Sequence, residues 1–169
     1  TSYDLALDNR DALASDAYKN AENYYKSVFE NAGGSINFYP DKNGPVPTAE
    51  TYHREVTEVS VQEVKDFCKK HGITENVFFI SVFGLTLGKY NFRKDAVFTT
   101  IYHGRNDSRL SETVGMLVKT LPVYTDFAGS LKDGLLAVQQ QLINSMNNDI
   151  YPFSQISHEF SIKADAMVI

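Results

Sequence analysis

Apolar residues recur at helical spacing near both ends of the chain. From Ser15 to Glu30 they return every three or four positions, and Asn31-Ala32-Gly33-Gly34 then supplies a stop signal. Ser130 is a candidate cap for a second helix that runs from Leu131 to about Asn147. Its predicted inward stripe consists of Leu131, Leu135, Val138, Leu142 and Met146. The pattern therefore predicts one helix in each of these regions.

Two further helices are predicted in the middle of the chain. Ser60-Val61-Gln62-Glu63 has the form of a capping box, which predicts a short helix from Val61 to Lys70, and His71-Gly72 ends it. Thr74 can cap the next helix, which is apolar nearly all round as far as Tyr90 and is expected to be central. Gly84 and Gly88 lie four residues apart on it, and ordinary close packing is the favoured explanation.

Three segments have the composition of β-strands. Tyr52 to Val59 alternates only in part, whereas Ala96 to His103 and Val114 to Thr125 are rich in Val, Thr, Ile and aromatic residues. The segment from Ser35 to Thr48 contains three prolines and predicts a surface loop, and Gly104 begins a Gly-Arg-Asn-Asp-Ser turn. Strands separated by helices favour an α/β fold, a layered α/β sandwich.

Length and composition narrow the class of protein. A chain of 169 residues suits one domain, and 21 acidic against 16 basic residues, without a basic cluster, makes nucleic acid an unlikely partner. The most apolar stretch, Val77 to Leu87, is too short and too interrupted to span a membrane. The single cysteine and the absence of a signal segment predict a cytoplasmic protein. The start without Met and the apolar end predict that residues 1–169 are one piece of a longer protein, truncated at both ends.

Candidate catalytic groups are few. The sequence has no nucleophile elbow, phosphate-binding loop, dinucleotide fingerprint or zinc-protease motif, and its four histidines share no metal-ligand spacing. Cys68 is expected to be a small buried residue. His103 stands beside Gly104-Arg105 at a strand end, where a structural hydrogen bond is favoured over a general base. His158 and Glu159 are expected to form a solvated surface pair. No catalytic residue and no metal site are predicted.

Three ordered motifs carry a resemblance to a known family. They are Tyr102-His103-Gly104-Arg105, then Val114-Gly115-Met116-Leu117-Val118-Lys119-Thr120-Leu121-Pro122-Val123, then Tyr151-Pro152-Phe153 followed by Ser154-Gln155-Ile156. An early segment, Tyr3-Asp4-Leu5-Ala6, leads to Ala17-Tyr18 and Tyr24-Tyr25. Together they resemble the C-terminal half of the condensation domain of nonribosomal peptide synthetases. The departures are Lys119 for a usual Asn, Leu117 for Phe, Asn148 for a common His and Ser154 for Glu.

This resemblance implies a two-lobed fold related to chloramphenicol acetyltransferase, a CoA-dependent acyltransferase, with this chain as the second lobe. The first lobe of that family carries His-His-x-x-x-Asp-Gly, which occurs nowhere in this chain, so the chain alone is expected to be inactive. The intact biosynthetic parent is expected to form amide bonds between carrier-bound acyl or aminoacyl thioesters. The alternatives are a noncatalytic module that binds carriers or another partner, and half of an epimerising or cyclising relative.

The matched residues have expected roles. Gly115 suits a bend or a close approach, and Pro122 suits a strand edge, because proline cannot donate a ladder bond. Lys119 and Thr120 are candidates for contacting a phosphopantetheine arm in a tunnel, although solvent-facing strand residues are as well supported. Arg105 is expected to brace the two halves through a carboxylate. The last candidates, which are expected to form an apolar anchor after a helix, are Tyr151, Pro152 and Phe153.

The resemblance also implies partners. No cofactor is expected to bind this chain directly, because 4'-phosphopantetheine is carried by the peptidyl or acyl carrier proteins that would dock on it. The missing N-terminal condensation subdomain is the other expected partner. Because an isolated half leaves its inner face uncovered, we also expect self-association.

Overall fold

The computed structural model describes residues 7–8, 10–30, 32, 49–105 and 108–169. The predicted loop from Ser35 to Thr48, the glycine stop after the first helix and the early Tyr3–Ala6 motif lie outside the described residues. From Asp16 onward, the described helices and strands follow in the order α1 Asp16–Phe29, α2 Val61–His71, α3 Glu75–Tyr90, β1 Asp95–Tyr102, β2 Lys119–Asp126, α4 Leu131–Asn147, α5 Phe153–Glu159 and β3 Met167–Val168, and a 3-10 turn spans Ser108–Leu110.

The helix starts form through the hydrogen bonds that the sequence predicts. Ser60 and Glu63 make both bonds of the capping box, and Gly72 ends α2 in the left-handed region with φ 67°. The hydroxyls of Thr74 and Ser130 accept backbone N–H groups at the starts of α3 and α4. The predictions of all four long helices are confirmed, and Cys68 is buried as expected.

The three strands form one sheet in the order β2-β1-β3. β1 pairs antiparallel with β2, with Thr99 opposite Pro122, and parallel with β3. Proline therefore lies in an edge strand, as expected from its missing N–H. Side chains alternate across β1, so Ala96 and Phe98 join one apolar cluster and Val97 joins the other. Helices cover both faces, which confirms the layered α/β prediction.

Helix α3 lies against the sheet at its two glycines. A Cβ at Gly84 would lie 2.5 Å from Thr125 Oγ1, and one at Gly88 would lie 3.2 Å from the carbonyl oxygens of Arg93 and Asp95. Close packing of the helix on β1 and β2 is therefore the role of this stripe. α3 is not covered all round, however, because Phe79 remains exposed among the described residues.

Two strand predictions need correction. Tyr52–Val59 is not a strand: it pairs with no described segment and its side chains are exposed, because Val56 and Val59 are three residues apart and cannot share one face of a strand. The second β-like run forms a strand only from Lys119, and residues 114–118 lie outside the ladder. In α4, Leu131 is exposed rather than inward-facing, because it lies at the first turn beyond the covered part of the helix.

None of the described helices has the length and apolar content needed to cross a bilayer.

Candidate functional site

The predicted site residues come together where β1 ends and β2 begins. Ile101 is opposite Thr120 and Tyr102 is opposite Lys119 in the strand register. Between these strands, Leu110 and Thr113 contact Arg105 through their carbonyl oxygens. We call residues 101–105 together with 110–120 the rim. It contains Arg105, Gly115, Lys119 and Thr120, four of the residues singled out from the sequence.

Arg105 holds the rim loop by its backbone. Nη1 of Arg105 donates to the carbonyl oxygens of Leu110 at 2.7 Å and Thr113 at 2.9 Å, and Nη2 donates to that of Gly115 at 3.5 Å. A guanidinium suits this task because its donors form a rigid planar fork. The guanidinium of Arg105, which was predicted to brace a second lobe through a carboxylate, therefore donates its hydrogen bonds to carbonyl groups of its own chain. The bracing role stays a prediction.

The close backbone approach in the rim occurs at Gly104. Its φ is 65°, and a Cβ there would overlap the carbonyl oxygen of Leu117. At Gly115, for which the sequence predicted a bend or a close approach, the chain bends. No described atom lies within 4 Å of the position that a Cβ would take there. Of the two alternatives expected for Gly115, the structure therefore has the bend, and the close approach occurs at Gly104, because a sequence pattern does not show which segment lies opposite.

Lys119 is paired within the chain. Its Nζ lies 2.9 Å from Asp149 Oδ1 and donates to the Asp149 carbonyl oxygen at 3.1 Å. This pair ties the start of β2 to the turn between α4 and α5. Thr120 differs from it, because its hydroxyl has no hydrogen-bond partner among the described residues. Of the two predicted pantetheine contacts, Thr120 is the one whose polar group is available.

Tyr151 is the buried member of the Tyr-Pro-Phe motif. Its ring centroid lies 5.0 Å from that of Tyr18, and its hydroxyl donates to Glu159 Oε2 at 2.7 Å. Burial, and then this carboxylate, raise the pKa of the Tyr151 phenol. Pro152 is exposed immediately before α5, and Phe153 is half-buried as its first residue. Glu159 is thus bonded to Tyr151, whereas the sequence predicted a surface pair with His158.

The remaining titratable groups form no catalytic cluster in the described ranges. His103 accepts the Arg105 N–H through Nδ1 at 2.9 Å, the structural hydrogen bond expected for it. Burial raises the pKa of the Cys68 thiol, which disfavours its reactive thiolate. No set of three metal-ligating side chains occurs within the part of the chain that the structure describes.

Several apolar side chains of the rim are exposed. Val114 is 94% exposed, Met116 88%, Val118 51% and Ile101 40%. Apolar groups gathered at one edge of a sheet, rather than scattered singly, are typical of a surface that another chain or ligand covers. Sequence reasoning expected an uncovered face but did not place it at the rim, and it missed Asp149, since both positions depend on which segments meet in space.

The comparisons with known proteins agree with one another. The family model described as "Condensation domain" matches residues 2–168. The chain is 27% identical over 135 residues to nonribosomal peptide synthetase sidC of Arthroderma benhamiae, covering 79% of the chain and 3% of that protein. It is 25% identical over 163 residues to bacitracin synthase 2 of Bacillus licheniformis, covering 92% of the chain and 6% of that protein.

The comparison with solved structures shows the fold. The first condensation domain of the calcium-dependent antibiotic synthetase, solved with a substrate analogue, superposes with a TM-score of 0.71 at 13% identity. The match covers 95% of this chain but 38% of that one. The chain therefore has a condensation-domain fold, of the type related to chloramphenicol acetyltransferase, and spans well under half of such a structure.

Proposed function

The chain belongs to the condensation-domain family, and from this premise we propose that it is the C-terminal subdomain of an amide-forming domain in a cytoplasmic peptide synthetase. The parent would join acyl or aminoacyl groups carried as thioesters on 4'-phosphopantetheine. Two facts support a partial domain: the chain matches 38% of a solved condensation domain, and its sequence contains no His-His-x-x-x-Asp-Gly. The chemical step would then need residues of the missing N-terminal subdomain.

The observation that carries the proposal is the composition of the rim. Thr120 has an available hydroxyl and lies opposite Ile101, whose side chain is partly exposed. A phosphopantetheine arm is a chain of methylene and amide groups, so an apolar wall with a hydroxyl partner suits it. In this proposal the rim supplies one wall of the tunnel and part of the surface on which carrier proteins dock. Lys119 has a weaker case, because Asp149 already neutralises its charge.

Amide formation tests the proposal. Two thioester-loaded carrier proteins are incubated with this chain, with the upstream subdomain of its parent, and with the two mixed or joined. We expect product only from the combination, because each part lacks residues that the other supplies. Product from this chain alone would contradict the proposal.

A substitution tests the rim itself. In the joined protein, Thr120→Val removes the hydroxyl and keeps the shape of the side chain, so we expect slower product formation with unchanged thermal unfolding. Thr57→Val is the matched control, because Thr57 is exposed in a segment outside the sheet. Equal loss of rate in both variants would argue against a role of Thr120 in the tunnel.

A different result would favour the other function class. If the joined protein folds and binds loaded carriers but forms no amide, the noncatalytic carrier- or partner-binding module becomes the better description. Inversion or cyclisation of the carrier-bound group without amide formation would instead identify an epimerising or cyclising relative.

A further inference from the structure

Helix α3 exposes an apolar side to solvent. Residues 76–88 contain no charged side chain, although a helix at the surface of a domain normally directs charged residues to water. Phe79 is 55% exposed, Val82 44% and Tyr90 66%. The buried residues of the helix, among them Gly84 and Gly88, lie on the opposite side, where α3 packs on the sheet. The apolar character of α3 therefore extends beyond the core that the described residues form.

The exposed residues of α3 include one straight row. They follow one another at intervals of four, three, four and three residues, an arrangement that places them along a single line on the helix surface. The same spacing is typical of a seam along which two helices pack. We call this row the α3 stripe: Glu75, Phe79, Val82, Thr86 and Lys89.

The middle of the α3 stripe can be covered without leaving a polar group unsatisfied. Phe79 and Val82 carry no polar side-chain atom. The Thr86 hydroxyl already donates to the Val82 carbonyl oxygen of its own helix at 2.8 Å. Covering these three residues therefore removes apolar surface from water and costs no hydrogen bond.

The ends of the α3 stripe carry opposite charges at equal distances from Val82. Glu75 lies seven residues before Val82, and Lys89 lies seven residues after it. Neither forms an ion pair with a described residue. If two α3 stripes pack antiparallel about a twofold axis at Val82, each Glu75 lies opposite the Lys89 of the other copy. A parallel arrangement would set like charges together, so the stripe is complementary to itself in the antiparallel direction only.

We propose that the α3 stripe packs antiparallel against the α3 stripe of a second copy of this chain, which gives a closed twofold dimer. The helix has 16 residues and is thus about 24 Å long. The contact is therefore short, and we expect the dimer to form reversibly at high protein concentration. The inference uses no residue of the rim and goes beyond the proposed synthetase activity, on which it does not depend.

Charge reversal tests the direction of the pairing. We expect the unchanged chain to dimerise in analytical ultracentrifugation. Glu75→Lys and Lys89→Glu should each raise the dissociation constant about tenfold, because each replaces two attractive pairs by two repulsive ones. The double variant should return to the original value. Lys26→Glu is the matched control and should have no effect, since Lys26 is exposed on α1, whose residues pack in the other apolar cluster. Absence of recovery in the double variant would overturn the proposal.

A substitution on the twofold axis gives a second readout. Val82→Lys sets two like charges against each other at the centre of the contact, so this variant should be monomeric with an unchanged far-ultraviolet circular dichroism spectrum. Val56→Lys should remain a dimer, because Val56 is also exposed but lies outside the helices. A chain that is monomeric at every concentration, or a dimer that survives Val82→Lys, would contradict the pairing. If the monomeric chain instead binds the upstream subdomain of its parent and loses this binding on Val82→Lys, that subdomain covers the stripe and the proposal is wrong.

Discussion

At the scale of single residues, Arg105 determines the conformation of the rim. One side chain satisfies carbonyl groups at three positions of the loop that leads into β2. The Leu110 carbonyl also accepts the Thr113 N–H at 3.2 Å, whereas the Gly115 carbonyl would otherwise need water or a second segment. The exposed apolar side chains of the rim are thus presented by a loop that is held from within.

Substitution of Arg105 should loosen this loop selectively. We expect Arg105→Ala to lower the free energy of unfolding by about 2 kcal/mol, since hydrogen bonds from a charged donor are lost. Arg105→Lys should cost less but still speed amide exchange over residues 110–118, because an ammonium cannot hold three separate carbonyls in a fixed fork. Arg54→Lys is the control, since Arg54 forms an exposed pair with Glu58 outside the rim. Unchanged exchange in Arg105→Lys would contradict the assignment.

At the scale of elements, the contact between α3 and the sheet depends on the absence of a side chain. Gly84 lets the helix backbone approach Thr125 and Phe98 on neighbouring strands. Alanine is a better helix former than glycine by about 1 kcal/mol, so helix propensity alone would favour a substitution here. Packing favours glycine at this position by more than helix propensity favours alanine, because the helix or both strands would have to move to make room for a methyl group.

Gly84→Ala should therefore destabilise the fold. The added methyl would lie 2.5 Å from Thr125 Oγ1 and 2.7 Å from its Cγ2, and overpacking of this kind costs about 1–3 kcal/mol. Urea unfolding monitored by circular dichroism would measure the loss. Thr125→Ala in the same chain should restore part of it, whereas Gly115→Ala should be nearly neutral, since its Cβ position is open. A neutral Gly84→Ala would show that α3 shifts without cost.

At the scale of the whole molecule, β1 connects two apolar clusters. Phe98 lies in the cluster formed with α2, α3 and α4, while Val97 lies in the cluster that contains Tyr25, Tyr151 and α5. Neighbouring residues of one strand thus belong to different cores. If β1 separates from one cluster, it also separates from the other and exposes both. We therefore expect the described fold to unfold as a unit.

Cooperative unfolding can be tested with two signals. Near-ultraviolet circular dichroism reports the buried tyrosines of the second cluster, and far-ultraviolet circular dichroism reports all the helices. We expect the same urea midpoint from both. Phe98→Leu, in the first cluster, should lower both midpoints together, with a cost of about 1 kcal/mol. Separate midpoints would mean that the two clusters unfold independently.

The sequence by itself determined the helices and the family. The capping hydroxyls, the left-handed glycine after α2 and the apolar repeats act over three or four residues, so each can be recognised without knowing the fold. The condensation-domain motifs were recognisable for the same reason, since they are short and ordered along the chain. The burial of Cys68 and the edge position of Pro122 also followed from residue type.

The tertiary structure alone decided what meets in space. A strand needs a partner for its hydrogen bonds, so Tyr52–Val59 remained unpaired despite its composition, and β2 began five residues later than the β-like run. Long-range pairing also gave Lys119 its partner Asp149 and placed the Leu117 carbonyl against Gly104. Each of these depends on residues far apart in the chain, and local patterns carry no information about which distant segment lies opposite.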